Sequence, residues 1–162
     1  KVTEGKGWVL RNSKGQYTLT LDGLKAGSLE RKTPALEIQG DLTLVLKKGT
    51  ESELLSADAA LKKGAGTLTI RGEGSLRLQG ETALEGEWKE ETLNQDEPSA
   101  LRIEGGKLVF TGEETALYED TVELAGGEIQ IQCLNGKGTG IRAHTLDDRH
   151  FSGSLEMEES EE

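Results

Sequence analysis

Apolar and polar residues alternate through most of this chain, which is the pattern expected of β-strands that bury one face. Residues 17–21, YTLTL, place Leu19 and Leu21 on the same face, and residues 42–46, LTLVL, alternate in the same way. The pattern recurs at 36–38, 68–70, 76–78, 101–103, 108–110, 122–124, 129–131 and 155–157. We therefore predict an all-β protein.

Many of these strands come in pairs that are separated by glycine. The four pairs read ALEIQG-DLTLVL, TLTIRG-EG-SLRLQG, ALRIEG-G-KLVFTG and TVELAG-G-EIQIQC, and the second strand starts six to eight residues after the first. That spacing leaves no room for a helix. In two pairs a third arm follows and reaches Leu84 and Leu117, in each case 16 residues after the pair begins at Leu68 and Leu101. Such matched spacing indicates an internal repeat.

The repeat is uneven in length. Counted from Leu36, Leu68, Leu101 and Val122, the first strands are 32, 33 and 21 residues apart. A short minimum with variable additions is typical of a solenoid, in which each rung is a unit and insertions bulge from its corners. The polar segment 89–99 is predicted to be one such insertion.

The predicted fold is a parallel β-helix, or solenoid, built from short coils with glycine at the corners. We expect it to span residues 1–155 and to be followed by an acidic disordered tail, residues 156–162. A β-sandwich or another meander is the alternative, because Asp22-Gly23 and Asn135-Gly136 are residue pairs that favour hairpins. The usual break in this chain is Gly or Gly-Gly, which turns a corner without imposing the twist of a hairpin.

Composition limits the partners of this protein. The net charge of −11 disfavours binding to nucleic acid or to an anionic membrane. The sequence has no apolar run long enough to cross a membrane and no signal-peptide core, as expected of a trimmed domain or of a secreted protein without its export signal. The one cysteine, Cys133, shares the parity of Ile129 and Ile131 and is predicted to be a buried, inert thiol.

Three phrases of the sequence resemble a known family. YTLTLDGLKA (17–26), DLTLVLKKGTESELLSAD (41–58) and GTLTIRGEGSLRLQGE (66–81) are similar to bacterial surface carbohydrate-binding domains. The match covers about residues 17–81, with looser similarity to about residue 133. The resemblance implies a single-stranded right-handed parallel β-helix like that of pectate lyases, a secreted or cell-surface location, a polysaccharide ligand and bound Ca²⁺.

Candidate carbohydrate-binding residues lie in two separate segments. The segment RAHTLDDRH (142–150) holds Arg142, His144 and Arg149, a dense mixture of cations and carboxylates. Trp88 stands just before the polar insertion, where an aromatic ring could stack on a sugar. The alternatives are a solvated loop for residues 142–150 and, for Trp88, a ring that caps the end of a coil.

Stacking of the coils could also bring carboxylates together. Glu113, Glu114, Glu119 and Asp120 are the candidate Ca²⁺ ligands, and a solvated acidic face is the alternative. The chain contains no EF-hand loop and no zinc-binding pattern. It also contains no Gly-x-Ser-x-Gly nucleophile motif and no glycine-rich phosphate loop.

The resemblance, together with these candidate residues, predicts a non-catalytic carbohydrate-binding module with Ca²⁺ as its candidate cofactor, rather than an enzyme. Two alternatives stay open. One is a structural or adhesive solenoid segment that has no small ligand. The other is a small polysaccharide lyase that would use a cation or Ca²⁺ against a uronate and a base beside it. An open solenoid end exposes a strand edge, so an end-to-end homodimer is also expected.

Overall fold

The computed structural model describes residues 2–88 and 99–159. Seventeen strands are assigned in these residues: β1 (Val2–Gly5), β2 (Trp8–Ser13), β3 (Gln16–Leu21), β4 (Lys25–Ser28), β5 (Leu36–Ile38), β6 (Leu42–Leu46), β7 (Glu51–Ser56), β8 (Ala59–Lys63), β9 (Gly66–Gly72), β10 (Ser75–Glu85), β11 (Ser99–Ile103), β12 (Lys107–Tyr118), β13 (Thr121–Leu124), β14 (Glu128–Cys133), β15 (Thr139–Arg142), β16 (Thr145–Asp147) and β17 (Ser154–Glu159). The described residues contain no helix, and therefore no helix able to span a membrane. Most of the insertion predicted at 89–99 lies outside the described residues.

From β3 onward the strands pair in parallel and wind into a β-solenoid of about five turns. Three faces result. The first face has the order β3-β6-β9-β11-β13-β16, the second β4-β7-β10-β12-β14-β17 and the third β5-β8-β10-β12-β15. The long strands β10 and β12 contribute to two faces because they bend at Gly80 and Gly112, where the register shifts. The predicted parallel β-helix is confirmed, and the alternative β-sandwich is wrong.

The core consists of columns of aliphatic side chains that stack from coil to coil. On the first face Leu42, Leu68, Leu101 and Val122 lie in register on adjacent strands, and all four are buried. Each such side chain contributes about 1.5–3 kcal/mol through burial. Cys133 is buried as well, as its parity predicted.

The expected equivalence of Leu36 with Leu68 is wrong. Leu36 pairs with Leu61 on the third face, and the partner of Leu68 in the preceding coil is Leu42. The alternation of apolar residues looks the same on every face of a three-sided coil. Gly40 therefore resembles the glycine corner between the first and second faces of a coil. It lies instead between β5, on the third face, and β6, which begins the next coil.

Two antiparallel hairpins precede the first coil and were not predicted. Strand β1 pairs with β2, and β2 pairs with β3, so the first face extends two strands beyond the solenoid. Lys14 and Gly15 have φ angles of 52° and 81°, the positive values that a tight two-residue hairpin turn requires. The segment 25–28 also forms a strand, β4, within a polar stretch that carries no clear alternation.

The paired region continues past residue 155, where the domain was predicted to end. Strand β17 pairs in parallel with β14 along its whole length. Leu155 and Met157 fall in register with Ile129 and Ile131, so the apolar column continues into residues expected to form the tail. Residues 160–162 lie outside the described residues.

Candidate functional site

Stacking of the coils brings together side chains from four separate parts of the chain. Tyr118 ends β12 and Arg142 ends β15, and the two residues are directly paired in register. Trp88 follows the end of β10 by three residues, and His144 follows the end of β15 by two. We call Trp88, Tyr118, Arg142 and His144 the aromatic–cation cluster.

The cluster is held by ring contacts. The centroid of the Trp88 ring lies 5.1 Å from that of Tyr118 and 3.7 Å from that of His144. The guanidinium carbon of Arg142 lies 5.6 Å from the Trp88 ring centroid and 5.8 Å from that of Tyr118. These distances are within the range of cation–π attraction. Trp88 and Tyr118 are half-buried, whereas Arg142 and His144 are exposed, so the cluster presents aromatic rings and polar groups to solvent.

Asp120 positions His144. Its carboxylate contacts Nδ1 of the imidazole, and its carbonyl oxygen accepts hydrogen bonds from the backbone N–H groups of His144 and Thr145 at 2.9 and 3.0 Å. The backbone N–H of Asp120 donates in turn to the carbonyl of Glu87, beside Trp88. The loop before Trp88 and the loop after Arg142 are therefore both attached to Asp120.

A buried charged group lies beneath this corner of the solenoid. Lys63 and Glu119 have no exposed side-chain surface, and Lys63 Nζ lies 2.7 Å from Glu119 Oε2. The hydroxyl of Ser99 accepts from Lys63 Nζ at 2.9 Å and donates to Glu119 Oε1 at 2.7 Å. Lys63 also donates to the carbonyls of Gly64 and Gly66. Lys63 thus has its hydrogen bonds inside the protein, whereas Glu119 Oε2 accepts no hydrogen bond and is compensated by the nearby charge of Lys63.

Gly86 connects the buried charges to the cluster. A Cβ at this position would overlap the carboxylate of Glu119. The backbone N–H of Gly86 donates to the carbonyl of Tyr118 at 2.6 Å. A side chain at residue 86 would therefore displace the Glu119 carboxylate from its place beside Lys63.

Three of the four sequence-predicted sugar-binding residues, Trp88, Arg142 and His144, meet in this cluster. Arg149 is instead bound to Asp147, with its Nε and one terminal nitrogen 3.0 and 2.9 Å from the two carboxylate oxygens. The hydrogen bonds from this guanidinium, reinforced by one from the backbone N–H of Arg149, lower the pKa of Asp147 from 3.8 to about 2. The same contact raises the pKa of Arg149.

The four candidate calcium ligands do not form one set. Glu119 is bound by Lys63 and Ser99, and Asp120 by His144. Glu114 accepts a hydrogen bond from Asn135, and Glu113 beside it is exposed. In the part of the chain that the structure describes, no three His, Cys, Asp or Glu side chains form a group that could hold a metal ion. These residues therefore do not fit a calcium cage.

Sequence reasoning missed Lys63 and Ser99 and left Tyr118 out of the site. Tyr118 could have been found by aligning the ends of the third arms, because Glu85, Tyr118 and Arg142 occupy one register position on adjacent strands.

Comparisons with protein-family models, curated proteins and solved structures found no match to this chain.

Proposed function

We propose that this chain is a non-catalytic carbohydrate-binding module, and that it contacts its ligand through the aromatic–cation cluster. The observation that carries the proposal is the position of Arg142 over both aromatic rings, next to exposed His144. Rings with an apolar face and a polar edge suit ligands that are apolar on one side and polar on the other. A pyranose ring is such a ligand.

Each member of the cluster has a role in this proposal. The Trp88 and Tyr118 rings receive the C–H face of a sugar at a low cost in side-chain entropy. Arg142 donates to sugar hydroxyls, and its planar fork matches the carboxylate of an acidic sugar. His144, positioned by Asp120, supplies a further polar group at the edge of the site.

The proposed location is outside a bacterial cell or on its surface. This part of the proposal is supported by the resemblance of residues 17–81 to bacterial surface domains. Binding is expected to be independent of calcium, because Glu119 and Asp120 already have protein partners. Glu113 and Glu114 are the other candidate ligands, and two carboxylates supply too few oxygens for a calcium cage.

Retention on immobilised polysaccharides tests the proposal. The probes are polygalacturonate and a neutral β-glucan, each presented with calcium and with EDTA, together with a glycan array. Wild-type protein should be retained on at least one glycan, equally in calcium and in EDTA. Tyr118→Ala and Arg142→Ala should each weaken retention at least tenfold.

Matched controls come from the same chain. Tyr17→Ala removes an exposed tyrosine outside the cluster, and Arg149→Ala removes a cation that Asp147 holds elsewhere. Both variants should bind as the wild type does. Equal losses in the control and cluster variants would refute the assigned site.

A second function is favoured if no glycan is retained. The exposed apolar residues at both ends of the solenoid would then support a structural or adhesive segment without a small ligand. Absorbance of unsaturated uronates is followed in the polygalacturonate incubations, and a rise would contradict the non-catalytic assignment and favour a lyase.

A further inference from the structure

The large apolar side chains that remain exposed are concentrated at the two ends of the solenoid. Six such residues are at least 41% exposed: Val2, Tyr17, Leu29, Leu134, Leu146 and Met157. The first three belong to the N-terminal hairpins and the first coil, and the last three to the last two coils. The described residues of the coils between them expose no large apolar side chain to this extent.

The N-terminal end contains an apolar cleft of about 440 Å³. Trp8 and Leu10 of β2 line it together with Leu24 and Leu36. Strand β4 pairs with β7, and β5 with β8, so within the described residues each has one open edge at this end. Because β1 and β2 extend only the first face, no described strand pairs with the open edges of β4 and β5. Open strand edges next to apolar surface favour pairing with another chain.

Strand β4 and the loop after it are basic on a protein that is otherwise acidic. Lys25, Arg31 and Lys32 are exposed on β4 and on the loop that follows it. Residues 1–38 contain seven Lys and Arg and four Asp and Glu, although the whole chain has a net charge of −11. The cleft itself is lined by Glu37 and Asp41, so the positive charge that attracts an acidic surface lies beside the cleft, on β4 and the loop after it.

The C-terminal end has the opposite charge. Strands β15, β16 and β17 each pair on one side among the described strands, with Leu146 and Met157 exposed. Asp148, Glu156 and Glu158 are exposed on the same strands and loop. Residues 145–162 contain seven Asp and Glu and a single Arg.

We propose that the acidic C-terminal end of one copy docks at the N-terminal end of a second copy, on the basic strand β4 and the loop after it beside the apolar cleft, so that the chains associate head to tail. Contact between two N-terminal ends would bring Lys25, Arg31 and Lys32 against their own counterparts, and two C-terminal ends would likewise repel each other. Contact between opposite ends joins opposite charges and removes exposed apolar surface from water.

A head-to-tail contact leaves one end of every copy free. Association is therefore open-ended unless the assembly closes into a ring, and its extent grows with concentration. Salt weakens the contact because the charges that steer it are exposed.

Sedimentation velocity of the full chain over a range of concentrations and salt tests the proposal directly. The wild type should change from a single chain of 17.5 kDa to larger species as concentration rises at low salt, and should return toward the single chain at high salt. A wild type that stays monomeric at every concentration would overturn the proposal without the use of any variant.

Two charge-reversed variants distinguish head-to-tail contact from contact between like ends. The N-end variant carries Lys25→Glu, Arg31→Glu and Lys32→Glu, and the C-end variant carries Glu156→Lys and Glu158→Lys. Each variant alone should be monomeric, and an equimolar mixture should associate because each variant contributes the intact end that the other lacks. Association of one variant alone, or no association in the mixture, would contradict the proposal. Circular dichroism of each variant confirms that the fold is retained.

Discussion

Lys63 Nζ lies 2.7 Å from Glu119 Oε2, and neither side chain reaches solvent. Lys63 ends β8, and Glu119 directly follows β12. The pair therefore connects a strand of the third face to the turn that follows β12. Two buried charges are expensive to desolvate, and their attraction offsets that cost only while both are present and hydrogen-bonded. Glu119 adjoins Tyr118 in the chain and packs against Gly86, two residues before Trp88. The positions of both aromatic residues therefore depend on this buried ion pair.

Removing one member of the pair should be far more damaging than removing both. Lys63→Met or Glu119→Leu leaves an unpaired buried charge and should lower the free energy of unfolding by about 3–5 kcal/mol. The double variant buries no charge and should recover most of that loss. Urea denaturation followed by circular dichroism measures all three variants. The exposed pair of Arg77 and Glu53 is the control, since Arg77→Ala should cost less than about 1 kcal/mol.

Gly86→Ala should destabilise the protein and disturb the aromatic–cation cluster together. The added methyl group would overlap the Glu119 carboxylate, and overpacking of this kind typically costs about 1–3 kcal/mol. Denaturation measures the loss, and tryptophan fluorescence reports the shift of Trp88. Glu87→Ala, at the exposed neighbouring position, should leave both readouts unchanged. A Gly86→Ala protein with wild-type stability and fluorescence would mean that the close approach is not rigid.

Much of the fold could be predicted because every coil of the solenoid uses the same pattern of alternating apolar and polar residues with glycine at the corners. Alternation of leucine and isoleucine with polar residues determines which side of each strand is buried, and glycine marks the corners. The alternation does not say which of three faces a strand belongs to, and this is why Leu36 was matched to Leu68 instead of Leu61. The N-terminal hairpins did leave a local signal, the Lys14-Gly15 turn between Leu10 and Leu19.

The site was less predictable because it depends on contacts between coils. Trp88 and Arg142 could be picked out individually, as an aromatic residue and a cation. Their contact depends on how strands of successive coils pair, and the coils differ in length. Lys63 shares the parity of Leu61, and Ser99 that of Leu101, so alternation places both on the buried face, but it does not say what a polar side chain binds there. Their importance comes from burial against Glu119, which sequence spacing alone does not express.

Phe110→Ala should test whether the columns of the core determine stability. Phe110 is fully buried and lies in register between Leu78 and Ile131 on the neighbouring strands. Truncation leaves a cavity and should lower the free energy of unfolding by about 3–5 kcal/mol. Tyr17→Ala, at a side chain that is 44% exposed, should change it by no more than about 0.5 kcal/mol. Similar losses in the two variants would show that Phe110 is not part of a tightly packed column.

The pair of Asp147 and Arg149 should be visible in acid titration. Hydrogen bonds from Arg149 lower the pKa of Asp147 from 3.8 to about 2, so the folded state binds its proton less readily than the unfolded state does. The contribution of Asp147 to stability is therefore complete above pH 3.8 and is lost as the pH falls toward about 2. Carbon-detected NMR of the side-chain carboxyl should give the low pKa in the wild type and a value near 3.8 in Arg149→Ala. Arg142→Ala, which removes a cation from the cluster instead, should leave the titration of Asp147 unchanged. A wild-type Asp147 that titrates near 3.8 would show that Arg149 does not hold it in solution.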